Sequence, residues 1–294
     1  MRDVSSHDRV SPIFIAALGH RVSLEIEDAS LREDIALLWS DLRDEDAALD
    51  LATHHVRVEG TGPWCITPAA APREFLASYP HEAPDTTPQV AETRAEAVSS
   101  ICAAINAPLA TYAPLLTVHA AVVVRDGVGL VIPGRSGAGK TTLTVALLKL
   151  GWRYASDEVL ALDWETGALA AYPRPLGISN WTAAALDVTG TTRGGGEWFV
   201  RAADVGARTV SEPFTVSHVV LPTRVEEQLR PTLASLHRMD AVRELLRRSF
   251  NHYGRPAHAL QLVAALVASA QACAATYSDA ATVAQLLTAT FALE

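Results

Sequence analysis

The chain has 294 residues, 49% of them hydrophobic and 19% charged, and 24 Lys and Arg against 33 Asp and Glu leave a net charge of −9. That composition builds a core large enough for one sizeable α/β domain, or for a catalytic domain with a smaller companion, and it excludes a disordered chain. The acidic excess argues against nucleic acid as a partner, because such binders carry a basic surface.

Three cysteines, Cys65, Cys102 and Cys273, lie far apart, with no CxxC and no Cys/His spacing suited to zinc. This fits a reducing compartment, so a cytoplasmic protein is expected. The apolar run at 12–18 is short and lacks a cleavage-site pattern, so no signal peptide is expected. Residues 256–278 carry no Asp, Glu, Lys or Arg. Their alanine content, with His258, Gln261, Ser269 and Gln271, favours a buried helix over a membrane span.

In chain order, residues 14–17, 55–58 and 64–67 read as strands and 34–50 as a helix. A proline-rich link with Pro80, Pro84 and Pro88 separates a small α+β N-terminal domain, residues 1–88, from a larger domain, residues 89–294. A helix is expected over 90–105. Residues 118–124 and 129–133 read as strands joined by Asp126-Gly127, a hairpin signal. Strands follow at 152–156, 159–163, 168–172 and 216–221. Gly194-Gly195-Gly196 reads as a flexible insertion, and 239–249, 257–275 and 280–292 as helices.

Gly134-Arg135-Ser136-Gly137-Ala138-Gly139-Lys140-Thr141 matches G-x-x-x-x-G-K-[ST]. It follows an apolar strand and opens a helix with Leu143, Ala146, Leu147 and Leu150 on one face, closed by Gly151. Glycines let backbone N–H groups converge on a phosphate, and the helix N-terminus adds a favourable dipole. Lys140 then reaches the β- and γ-phosphates and Thr141 ligates Mg²⁺. With Thr142, this stretch is the expected ATP-binding segment.

The 12 residues 139–150 make about 18 Å of helix. The five residues 152–156 make about 16 Å of returning strand. The strand should therefore end level with the loop, beside the first strand of a right-handed crossover. Its last residues, Asp157 and Glu158, then meet the γ-phosphate, where one acid can hold Mg²⁺ and the other accept a proton from a hydroxyl. Two solvated acids in a turn would show the same letters. Asp163, after the apolar 159–162, is a competing metal acid, but it leads straight into a turn.

His119, the strand hairpin, Gly134 to Thr141 and Tyr154-Ala155-Ser156-Asp157-Glu158 together resemble the C-terminal catalytic domain of HPr kinase/phosphorylase. The resemblance covers about residues 112–180, and more loosely the stretch from there to the C-terminus. It implies the phosphoenolpyruvate-carboxykinase-like P-loop fold, a central sheet with flanking helices, and an ATP- and Mg²⁺-dependent kinase acting on a serine hydroxyl. It also implies Asp157 as catalytic base, Glu158 as a magnesium-shell acid and His119 as a helper near the phosphates. Glu158 stands where that family usually has Asp, and residues 1–88 do not match the N-terminal part of true HPr kinases. The chain is more similar to divergent HPr-kinase-related proteins, some of which tailor ribosomal peptides, so a peptide or protein is the expected acceptor. The related kinases are oligomeric, which makes a homo-oligomer a further expectation.

Arg174, held extended between Pro173 and Pro175, can stabilise a transferring phosphoryl group or simply lie on the surface. Arg193 before the glycines suits a lid or a plain loop. Trp181 and Trp198 read as core or loop anchors, and Arg243, Arg247 and Arg248 as a solvated helix face. Three other functions compete with a peptide or protein kinase. One is a kinase for a free amino acid or sugar, one is a non-catalytic nucleotide-binding module, and the last is a transport or DNA-linked ATPase, which lacks its signature here.

Overall fold

The computed structural model describes residues 11–47, 53–73, 86–135, 137–189, 192–194, 196–227 and 230–291. Pro80, Pro84, Ser136 and Gly195 lie outside the described residues. The fold is mixed α/β, with three sheets and seven α-helices among the described residues.

The first sheet has five strands in sequential order: β1 (Ile13–Ala17), β2 (His20–Ile26), β3 (His54–Glu59), β4 (Trp64–Thr67) and β5 (Gln89–Ala91). Reading the sequence for alternation missed β2, although Val22, Leu24 and Ile26 point inward and are fully buried. Its hairpin with β1 turns on Leu18 and Gly19, both with positive φ, a pair less recognisable than Asn-Gly. Helix α1 (Ala29–Leu38) replaces the helix expected over 34–50. Asp28 starts it early by accepting from the Leu31 N–H, and the buried Leu38 and Trp39 close it before Ser40. Likewise the helix expected over 90–105 is β5 followed by α2 (Arg94–Thr111), which Thr93 and Glu96 start with a reciprocal capping box. Strand β5 pairs with β4, and α2 packs on this sheet, so residues 89–111 complete the N-terminal layer.

The second sheet carries the glycine-rich loop. Strands β6 (Leu116–Arg125) and β7 (Val128–Pro133) form a hairpin around Asp126 and Gly127, both at positive φ. Helix α3 (Lys140–Lys149) follows, buried through Leu143, Ala146 and Leu147. Gly151, at φ 89°, turns the chain into β8 (Arg153–Ser156). This strand does not lie beside β7, as the simple crossover predicts. It pairs antiparallel with β6, so β6 separates the two. The β6–β7 hairpin has already filled the position next to β7.

Strand β9 (Val159–Leu162) continues along the same edge of β6, and β10 (Leu169–Ala170) folds back on it. A small three-stranded sheet, β11 (Leu176–Ser179), β12 (Thr192–Arg193) and β13 (Glu197–Val200), stands nearby with helix α4 (Asn180–Ala185). Strand β14 (Thr215–Arg224) runs parallel to β7, and β15 (Thr232–Ser235) closes the edge. Helices α5 (Arg238–Leu246), α6 (Pro256–Ala268) and α7 (Ala280–Phe291) complete the chain.

The expected helix 257–275 breaks in two. After α6 the chain forms β16 (Gln271–Tyr277), parallel to β14 and between β14 and β15. Alanine is the best helix former, but intrinsic propensity is weak against tertiary context, and hydrogen bonds from strands on both sides override it here. No helix among the described residues is long and apolar enough to cross a membrane. The two large sheets share an apolar seam, in which Val159, Ala161, Tyr172 and Phe199 join the core of the first sheet.

Candidate functional site

Three parallel strands, β7, β14 and β16, end on the same side of the second sheet, and the last residues of β14 and β16, with the loop that follows β7, border one cavity of about 560 Å³. Ligands of open α/β sheets bind beyond such carboxyl ends. Gly137 and Gly139 border this cavity with φ of 78° and 83°, values that a side chain would resist. Gly139 is the N-cap of α3 and brings no side chain to the first-turn N–H groups. Those donors stay available for an anion.

Lys140 folds back over this loop. Its Nζ donates to the Gly134 carbonyl at 2.8 Å and the Arg135 carbonyl at 3.1 Å, and lies 2.9 Å from His119 Nε2. A Cβ at residue 134 would sit 3.0 Å from Lys140 Cγ, so glycine makes room for this path. Burial draws the Lys140 pKa down, and the charges of Glu158 and Asp157 only partly restore it.

The two acids arrive through an irregularity in the strand. Ser156 faces Val122 and Val159 faces His119 in one register, while Tyr154 faces Val123, so Ala155 is an extra residue. Ser156 Oγ accepts from the Glu158 and Val159 N–H groups and fixes the bend. Both carboxylates then line the cavity beside Thr141.

Asp157 is 5% exposed. One oxygen accepts from the Thr141 hydroxyl at 3.3 Å and the other from the Tyr154 hydroxyl at 2.8 Å. Burial raises its pKa, Arg174 opposes the rise, and Glu158 adds to it. Glu158 shifts the other way. Burial works against its charge, but the His119 hydrogen bond and the charges of Arg174, His119 and Lys140 outweigh it and hold the carboxyl below the usual range. His119 Nδ1 lies 3.3 Å from Glu158 Oε1, and an Arg174 guanidinium nitrogen lies 3.3 Å from Oε2.

Thus His119, Gly137, Gly139, Lys140, Thr141, Thr142, Asp157, Glu158 and Arg174 border one cavity. Gly134, Arg135 and Ala138 belong to the loop beneath it, and Ser136 lies outside the described residues. Arg174 is no surface arginine, for its side chain is 14% exposed and paired with both acids. Asp163 is spent elsewhere: its carboxylate accepts from the Glu165 and Thr166 N–H groups in the β9–β10 turn. Arg193 stacks on Trp198, Arg243 pairs with Asp240 on its own helix, and Arg247 and Arg248, just past the end of that helix, pair with Glu244.

Sequence reasoning missed Tyr154, Glu197, Arg224 and Tyr277. Tyr154 reads as a core aromatic because its ring is buried, yet its hydroxyl orients Asp157. Glu197 and Arg224 carried no motif. Tyr277 fell just past an expected helix, so its place at a strand end was hidden.

Among the described residues no group of three or more His, Cys, Asp or Glu is placed to hold a metal ion. The Thr141 hydroxyl beside the Asp157 carboxylate, with Glu158 next to it, is an oxygen set of the kind Mg²⁺ uses when phosphates and water complete its shell. Neither a scan of protein-family models nor a search of curated proteins found a match to the chain.

Proposed function

We propose that the chain is an ATP-dependent kinase with a P-loop central sheet of the phosphoenolpyruvate-carboxykinase-like kind. It transfers the γ-phosphoryl group to a hydroxyl, most simply a serine of a peptide or protein. The observation that carries this reading is the 3.3 Å contact between the first-turn hydroxyl Thr141 and the buried Asp157, within one cavity that also holds Lys140.

In this reading the first-turn N–H groups of α3 hold the α- and β-phosphates, and Lys140 leaves its loop carbonyls to meet the β- and γ-oxygens. Thr141 and Glu158, with Asp157 adjacent, are the residues to hold Mg²⁺, which when bound neutralises phosphate charge. Asp157 takes the proton of the acceptor hydroxyl as the new O–P bond forms and the bond to the ADP leaving oxygen breaks. Its raised pKa suits a base, because proton transfer is most efficient when the pKa approaches the working pH. Arg174 balances the two acids and stands by the phosphoryl group as charge redistributes. His119, between Lys140 and Glu158, keeps both in place.

The test is transfer of label from γ-labelled ATP with Mg²⁺ in a lysate of the source cells. Label on a peptide or protein, absent with Lys140→Ala, is the expected result. Label confined to small molecules would move the acceptor to a free amino acid or sugar. Nucleotide binding with no transfer would leave a binding module.

A further inference from the structure

The phosphate loop accounts for only one end of the cavity. An aromatic end, where Tyr277 adjoins Gly139 and Thr182 adjoins Thr142, is bordered by Trp181, Thr182, Arg224 and Tyr277. Three observations there point to a ligand. Tyr277 is 1% exposed, and its hydroxyl is a buried polar atom with no hydrogen-bond partner. Of the described side chains bordering the cavity, no other has a buried polar atom in that state. A buried donor left unpaired destabilises the fold, so an incoming acceptor oxygen supplies the partner it lacks.

The hydroxyl is also well aimed. A Cβ built on Gly139 would lie 3.2 Å from it, so it abuts the N-cap of α3. Burial pushes its pKa up to about 12, which keeps it a donor at neutral pH. Finally, Trp181 is 49% exposed, a large aromatic surface left in water, with the Arg224 guanidinium 4.4 Å from its ring centre.

We infer that this end is a nucleoside subsite, in which the nucleobase stacks against the Trp181–Arg224 pair and the Tyr277 hydroxyl donates to the α-phosphate. The inference rests on the phosphate-loop reading above and gives that loop a direction. The acids and Lys140 mark the γ end. Thr142, whose hydroxyl is 2.8 Å from that of Thr182, leads towards the nucleoside end.

The experiment is equilibrium binding of Mg-ADP and, separately, of Mg-tripolyphosphate, which has no nucleoside. Wild type is compared with Lys140→Ala, Trp181→Ala and Tyr277→Phe. Trp181 is half exposed and Tyr277→Phe removes one atom, and a thermal melt confirms that both variants fold. Trp181→Ala should weaken ADP about fivefold or more and leave tripolyphosphate unchanged. Tyr277→Phe should weaken both ligands about tenfold. If Lys140→Ala weakens both ligands but Trp181→Ala leaves ADP untouched, the nucleoside subsite is wrong and the loop reading stands. If Lys140→Ala changes neither, the loop reading fails and this inference with it.

Discussion

The two ends of the cavity are built on opposite plans. At the acid end charges are closed on one another: Arg174 meets Asp157 and Glu158, His119 meets Glu158, and Lys140 is capped by loop carbonyls and His119. At the aromatic end, Tyr277 keeps a buried hydroxyl without a partner and Trp181 keeps half its surface in water. The difference teaches how each end meets a ligand. The acid end has its charges balanced beforehand, so in the proposed kinase Lys140 exchanges loop carbonyls for phosphate oxygens. The aromatic end gains its missing contacts when something binds.

Substitutions sharpen the contrast, and the largest effect belongs to Lys140. In Lys140→Ala, phosphoryl transfer should fall about a thousandfold, measured as a single-turnover rate, since the cation that moves onto the phosphates is gone. Next is Arg174→Ala. It takes the arginine from the buried Asp157 and the half-buried Glu158, so unfolding free energy in a denaturant titration should drop by about 3 kcal/mol. Removing a side chain from the aromatic end, as in Trp181→Ala, should leave the midpoint of the same titration nearly unchanged.

A smaller loss is expected for Gly139→Ala. A side chain at φ 83° costs about 1–2 kcal/mol, read as a lowered melting temperature, and the new Cβ crowds Tyr277.

The subtlest effect is on pH. Asp157 has a raised pKa, so the acid limb of the transfer rate should lie above the ordinary aspartate value of 3.8, with activity rising as pH rises through it. Glu158 contributes to that rise, so Glu158→Gln should move the limb to lower pH. A limb that stays put or moves up would show that the limb does not report Asp157.

Much of this arrangement was legible in the residues. The loop motif, its flanking strand and helix, and the matched lengths of that helix and the returning strand bring Asp157 and Glu158 level with the loop without any view of the fold. What stayed hidden has physical causes. The order of strands is not written locally, so β6 between β7 and β8 could not be read from the crossover. The alanine-rich 257–275 carries a helix and a strand in one composition, and only the neighbouring strands separate them. Arg174 stayed open between site and surface, because a Pro-Arg-Pro stretch gives no sign that Asp157 and Glu158 pair with it. Tyr277 followed from β16, so it was lost with that strand.

The most direct test of the account is Asp157→Asn, measured for both Mg-ADP affinity and transfer from γ-labelled ATP. The substitution keeps the size of the side chain and removes the base, while Lys140 and the first turn of α3 remain. The account predicts ADP affinity within a few-fold of wild type and transfer reduced by about 10² to 10⁴. Full transfer by Asp157→Asn would contradict it, because some other group would then be taking the proton.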